Sequence, residues 1–101
     1  MNDYINHINK DFESRVRLGI MSVLMVSDPV SFTVLKESLH LTDGNLASHL
    51  RALEEAGYLR VEKQFVGRKP NTVYQATLAG TEAFRNHLNA LEQLVLNTKS
   101  N

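Results

Sequence analysis

A mainly α fold with one small β-hairpin is predicted from three features of this 101-residue sequence. Apolar residues recur at helical spacing in several separate stretches. A glycine stop at Gly57 is followed by a switch to β-type composition at Tyr58–Val66. A second β-type run, Thr72–Ala76, follows the turn-forming Gly67–Asn71.

The elements are justified in chain order. Tyr4, Ile5, Ile8, Phe12 and Val16 extend a helical stripe into the apolar run Leu18–Val26. Residues Asp3–Lys10 could be a separate turn or part of one long first helix, and their apolar side has no obvious partner in so small a domain. Asp28-Pro29 ends the first helix, because the residue before a proline is pushed out of the helical region. Val30–Phe32 can supply a short strand. Thr33–Leu39 reads as a second helix with Val34, Leu35 and Leu39 inward. His40-Leu41 makes a tight connection to a third helix, which Thr42 can N-cap and Asp43 favours through the helix dipole. Leu46, Leu50 and Leu53 form its inward face. Two short helices joined this closely are a helix-turn-helix signature. The last helix is expected from Thr77–Leu78 to about Leu96, with Phe84, Leu88, Leu91 and Val95 on one face. The expected whole is a winged helix-turn-helix with terminal dimerisation helices, one domain over residues 1–101, in which 1–12 and 78–97 are expected to pair the subunits.

Composition bounds the function. With 43% hydrophobic and 22% charged residues the chain suits one compact domain. It has no cysteine, which excludes disulfides and thiolate chemistry. The charged opening is no signal peptide, and Leu18–Val26 is far short of the roughly 20 residues that span a bilayer. A soluble, cytoplasmic protein is expected. Net charge is zero, but Arg60, Lys63, Arg68 and Lys69 face only Glu62 in their stretch. A local positive patch on a neutral domain favours selective contact with nucleic acid over indiscriminate affinity.

Around the third helix, the arc opposite the leucines holds Gly44, Ser48, Arg51, Ala52 and Glu55, with Asn45 at its edge. Small and polar residues allow close approach to base edges. Asn and Arg offer paired groups suited to adenine and guanine. Thr42, Asn45, Ser48 and Arg51 are therefore candidate DNA contacts, and Arg68 and Lys69 at the tip of the turn, stiffened by Pro70, are candidates for phosphates or the minor groove. Lys36 and Arg17 are weaker phosphate candidates, and Arg17 could instead brace the core through an ion pair. His49 falls beside the leucine stripe and is expected at the edge of the core rather than on DNA. Ile5, Ile8, Phe12, Leu88, Leu91 and Val95 offer more apolar surface than one small core covers, and are the candidate dimer contacts. No phosphate loop, HExxH motif or nucleophile–base–acid set is present, so no enzyme and no cofactor are expected. The alternative is a winged-helix module for protein–protein contact, which would carry an apolar patch where Asn45, Ser48 and Arg51 stand.

The segments RLGIM (Arg17–Met21), FTVLKESLHLTDGNLASHLRALEEAGYLRVEK (Phe32–Lys63) and FVGRKPNTVYQATLAG (Phe65–Gly80) resemble the small winged-helix transcriptional regulators related to the MarR and ArsR groups. The resemblance covers most of the chain. It implies a repressor or activator that binds double-stranded operator DNA as a homodimer, without naming the regulated gene or any small-molecule effector. ArsR-type relatives can sense metals through paired histidines and acids on terminal helices. His87 with Glu82 and Glu92 lacks such a ligand spacing, so no metal site is expected.

Overall fold

The computed structural model describes residues 3–99. Two short 3₁₀ turns, Asp3–His7 and Lys10–Phe12, precede α1 (Arg15–Val26). Then come β1 (Val30–Ser31), α2 (Phe32–Leu39), α3 (Asp43–Glu55), β2 (Leu59–Val66), β3 (Lys69–Ala76) and α4 (Leu78–Lys99). The strands form one antiparallel sheet in the order β1-β3-β2, with Val30 opposite Tyr74 and Leu59 opposite Ala76. None of the helices among the described residues is long and apolar enough to cross a membrane.

Local chemistry starts and stops these elements. Ser14 caps α1, its hydroxyl oxygen accepting from the amides of Val16 and Arg17. Ser31 caps α2 in the same way through Val34. The N-terminal segment is therefore separate from the first helix, because Ser14 is extended and serves as a cap. Its side also has a partner, since the first 3₁₀ turn packs along α4. At the bend between the turns, the Asn9 side chain accepts from the Asp11 amide and donates to the Tyr58 hydroxyl. The Asn9 amide donates to His87 Nδ1 at 3.0 Å.

The core lies where α1, α2 and α3 meet the sheet and the first half of α4. Ile20, Met21, Leu35, Leu46 and Leu53 are fully buried there. Phe12 is buried as completely, with its ring 5.2–5.4 Å from those of Tyr58, Phe84 and His87. Such aromatic burial within one chain corrects its assignment to a dimer surface. Val34 is also corrected. It stands 48% exposed while Leu35 takes the inward position. On α4 the buried line is Phe84, His87 and Ala90, rotated from the line drawn through Leu88, Leu91 and Val95, which are all exposed. The rotation follows from the Phe12 and Asn9 contacts, which draw His87 inward.

Candidate nucleic-acid interface

The third helix is closed at both ends. Thr42 Oγ1 accepts from the Asn45 amide at 3.3 Å, leaving its hydroxyl hydrogen free to donate outward. At the other end Gly57 takes a φ of +83°, its amide donates to Glu54 and the Tyr58 amide reaches back to Leu53. This pair of bonds is a Schellman closure, which satisfies carbonyls otherwise left open and fixes where the helix ends. Helix α2 stops with a related pattern at His40, a non-glycine residue with a φ of +54°. That sharp reversal sets α3 across the end of α2.

Leu46, Leu50 and Leu53 anchor one side of α3, so Asn45, Ser48 and Arg51 are exposed on the other. Gly44 is exposed as well, and a Cβ there would meet nothing, so the backbone of the first turn is open to close approach. Ala52, expected on this arc, is half-buried. Among the described residues, Asn45, Ser48, Arg51, Arg68 and Lys69 have no side-chain hydrogen bond or ion pair. An unpartnered amide in the first turn of α3 and an unpartnered cation nearly two turns further along the same side form a surface that can take up an anionic ligand.

The wing differs in one respect from the sequence expectation. Its turn has two residues, Gly67-Arg68, instead of five, and Lys69 and Pro70 already belong to β3, opposite Val66 and Phe65. Gly67 has a φ of +65° and Arg68 does not share the positive sign, the pattern of a type II′ hairpin. In such a hairpin the residues next to the turn exchange hydrogen bonds and the next pair does not, so Pro70 sits where no amide is needed. Arg68 and Lys69 are held at the tip as expected. Arg60 is tied across the strands to Gln75 Oε1 at 3.0 Å, leaving Lys63, Arg68 and Lys69 as the cations of the hairpin without a side-chain partner among the described residues.

The weaker candidates are engaged within the fold. Lys36 Nζ meets Asp43 Oδ1 at 2.8 Å, which ties α2 to the first turn of α3. Arg17 Nε donates to His49 Nδ1 at 3.1 Å, while its Nη1 lies 3.7 Å from the Asp11 carboxylate and donates to the Asp11 carbonyl. His49 is thus a half-buried edge residue, as expected, and Arg17 is a brace. Because Nδ1 accepts, neutral His49 carries its proton on Nε2. Burial and then the Arg17 charge push the His49 pKa down. His87 is also lowered by burial, with Glu13 opposing. Its bond with Asn9 has no signal in the sequence, because 78 residues separate the partners. No group of three metal-ligating side chains occurs among the described residues.

One junction joins this surface to the last helix. The Thr77 hydroxyl donates to the Gly57 carbonyl and accepts from the Gly80 amide, and the Thr77 amide donates to the Tyr58 carbonyl. Gly80 is buried against Tyr58, whose carbonyl a Cβ there would strike.

Residues 16–95 match the family described as winged helix DNA-binding domain. An uncharacterised protein of Methanocaldococcus jannaschii is 39% identical over 88 residues, covering 87% of this chain and 96% of that one. The structure of a transcriptional regulator homologue from Pyrococcus horikoshii superposes with a TM-score of 0.86 at 30% identity, over 97% of this chain and 98% of the other. A MarR-like transcriptional regulator of Thermotoga maritima gives 0.62 at 20% identity, over 96% and 71%. At that identity the likeness is one of fold.

Proposed function

The chain belongs to the winged helix DNA-binding domain family, and on that premise we propose that it is a homodimeric transcriptional regulator that binds double-stranded DNA sequence-specifically. The observation that carries this reading is the polar arc of α3. Asn45, Ser48 and Arg51 are exposed without partners on a helix capped at both ends, beside a hairpin tipped by Arg68 and Lys69. In the proposed complex α3 enters the major groove. Arg51 and Asn45 read base edges, Ser48 and the Thr42 hydroxyl reach bases or nearby phosphate, and the wing neutralises the adjoining backbone. A protein-interaction module would be expected to carry an apolar patch on this arc, and the arc is polar.

Homodimerisation rests on the far half of α4. Leu88, Leu91 and Val95 are exposed there, Val95 by 61%, and Ile5 is exposed beside the same helix. Pairing these surfaces about a two-fold axis would cover them and set two α3 helices toward half-sites about one helical turn apart. Ile8 is half-buried and would lie at the rim.

The test is a fluorescence-anisotropy titration against sites selected from random duplexes, at several salt concentrations. Arg51→Ala is expected to cost roughly 1–3 kcal/mol on the selected site and to relax preference at particular base pairs. Arg68→Ala with Lys69→Ala is expected to weaken specific and random duplexes alike. It should flatten the log–log salt slope by about one for each phosphate left without its cation, so by up to about four across a dimer. Binding unchanged in both variants would overturn this interface.

A further inference from the structure

The wing tip carries more than charge. Phe65 is 73% exposed and Val66 is 66% exposed, on either side of the strand next to the turn. Isolated apolar residues on a surface need no explanation, but Phe65 stands directly opposite the exposed Pro70 at the end of the hairpin, while Val66 stands opposite Lys69. The register decides which way Phe65 faces. Lys63 pairs with Thr72, and both line the groove between the hairpin and α3, together with Arg51 and Glu54. Side chains alternate along a strand, so the next pair on that same side is Phe65 with Pro70, about 6.6 Å further toward the tip. The phenyl ring and the proline therefore continue the inner side of the wing past the point where α3 stops covering it.

What could cover this apolar pair follows from its surroundings. The tip segment, residues 63–70, contains Lys63, Arg68 and Lys69 and no acid. An apolar pair with Lys63 on its own side, Arg68 in the turn and Lys69 on the far side of the strand repels a second copy of the same tip and suits a polyanion with an apolar interior. Duplex DNA has both features, phosphates outside and stacked bases within. Phenylalanine and proline are also among the side chains that wedge between base steps from the minor groove.

We propose that the wing enters the minor groove with Phe65 as a wedge, backed by Pro70, that partly unstacks one base step while Lys63, Arg68 and Lys69 hold the flanking phosphates. This deepens the DNA-binding reading and rests on it. The wing then acts as a reader of deformability, favouring flexible pyrimidine–purine steps at positions that α3 does not touch.

Two measurements on the whole protein test it. The first is anisotropy on a mixed-sequence duplex. The second is the linking number of a relaxed closed-circular plasmid after topoisomerase treatment in the presence of protein, which records unwinding whatever the sequence. Wild type is expected to bind the duplex and lower the linking number. Phe65→Ala, on an exposed side chain, should fold normally, bind roughly tenfold more weakly and abolish most of the linking change at matched saturation. Phe65→Leu should keep most of it, since leucine can also wedge. A wild type that binds without changing the linking number, or a Phe65→Ala variant with wild-type affinity and linking number, overturns the wedge and leaves the DNA reading intact. Absence of duplex binding by wild type even at low salt overturns both. If Phe65→Ala changes the sedimenting species and leaves the DNA measurements unchanged, Phe65 belongs to a protein interface and the wedge is wrong.

Discussion

The third helix and the wing stand side by side, and they are built on opposite principles. Helix α3 has buried leucines behind it, a cap at each end, and braces to two other elements through Lys36–Asp43 and Arg17–His49. The wing past Val61 has exposed side chains almost throughout β2, and it holds its shape through strand pairing and a two-residue turn. A surface that reads base edges must be positioned to fractions of an ångström, whereas one that follows a phosphate backbone or a deformable groove gains from compliance. Rigidity is invested where register matters.

The most severe test of this contrast is to remove support from behind the helix. Leu50 is 2% exposed beneath α3, and Leu50→Ala is expected to destabilise the fold by about 2–5 kcal/mol. Thermal melts and denaturant titrations would read this. A loss below about 1 kcal/mol would mean that the helix is not held as tightly as its burial indicates.

Acid supplies an intermediate test. His49 and His87 both have folded-state pKa values lowered mainly by burial. Their contribution to stability is therefore complete above the unfolded value of about 6.5 and is lost as pH falls below it toward the folded value. The melting temperature should drop between pH 7.5 and 5, as the unfolding free energy falls by at most about 1.4 kcal/mol per pH unit for each proton taken up on unfolding. His87→Gln, which keeps an acceptor for the Asn9 amide, should flatten that dependence. A wild-type profile that is level across this range would refute the assignment. The wing has no histidine, so its contacts should be insensitive over the same interval.

The smallest effect is expected at the tip. Arg68→Ala with Lys69→Ala should change stability by no more than about 0.5 kcal/mol, since exposed surface positions away from caps and cores seldom do more. A larger loss, seen in the same melts, would show that the cations hold the hairpin together and would undo the contrast between the two regions.

What can be read from the amino-acid order is whatever is written locally. Thr42, the leucines and Gly57 lie within 16 residues and carry the start, the buried side and the stop of α3, so they are legible. The reach of the hairpin is harder to read, because Pro70 has two uses. It stiffens turns, and it also fits an edge strand at a position that needs no amide. The N-terminal segment is the least legible part. Phe12 looks like one more apolar residue in a stripe, and its burial is decided by Tyr58, Phe84 and His87, far along the chain. The same distant contacts turn α4, so its buried line cannot be drawn from its own periodicity. Among the site residues, exposure follows from the wheel drawn on the leucines. The bracing of Lys36 and Arg17 follows from helix packing that no spacing rule contains.

The knot of bonds at Thr77 joins the end of α3, the root of the wing and the start of α4 without an intervening linker. In the proposed dimer, α4 therefore acts as the arm of a calliper whose jaws are the two α3 helices, and the gap between the jaws is fixed by the arm. Inserting one base pair between half-sites turns one of them by about 34° around the duplex axis. A jointed protein would absorb that turn, but a calliper cannot. Promoters recognised by such a molecule would be free to drift in the bases between half-sites and held almost immobile in their number.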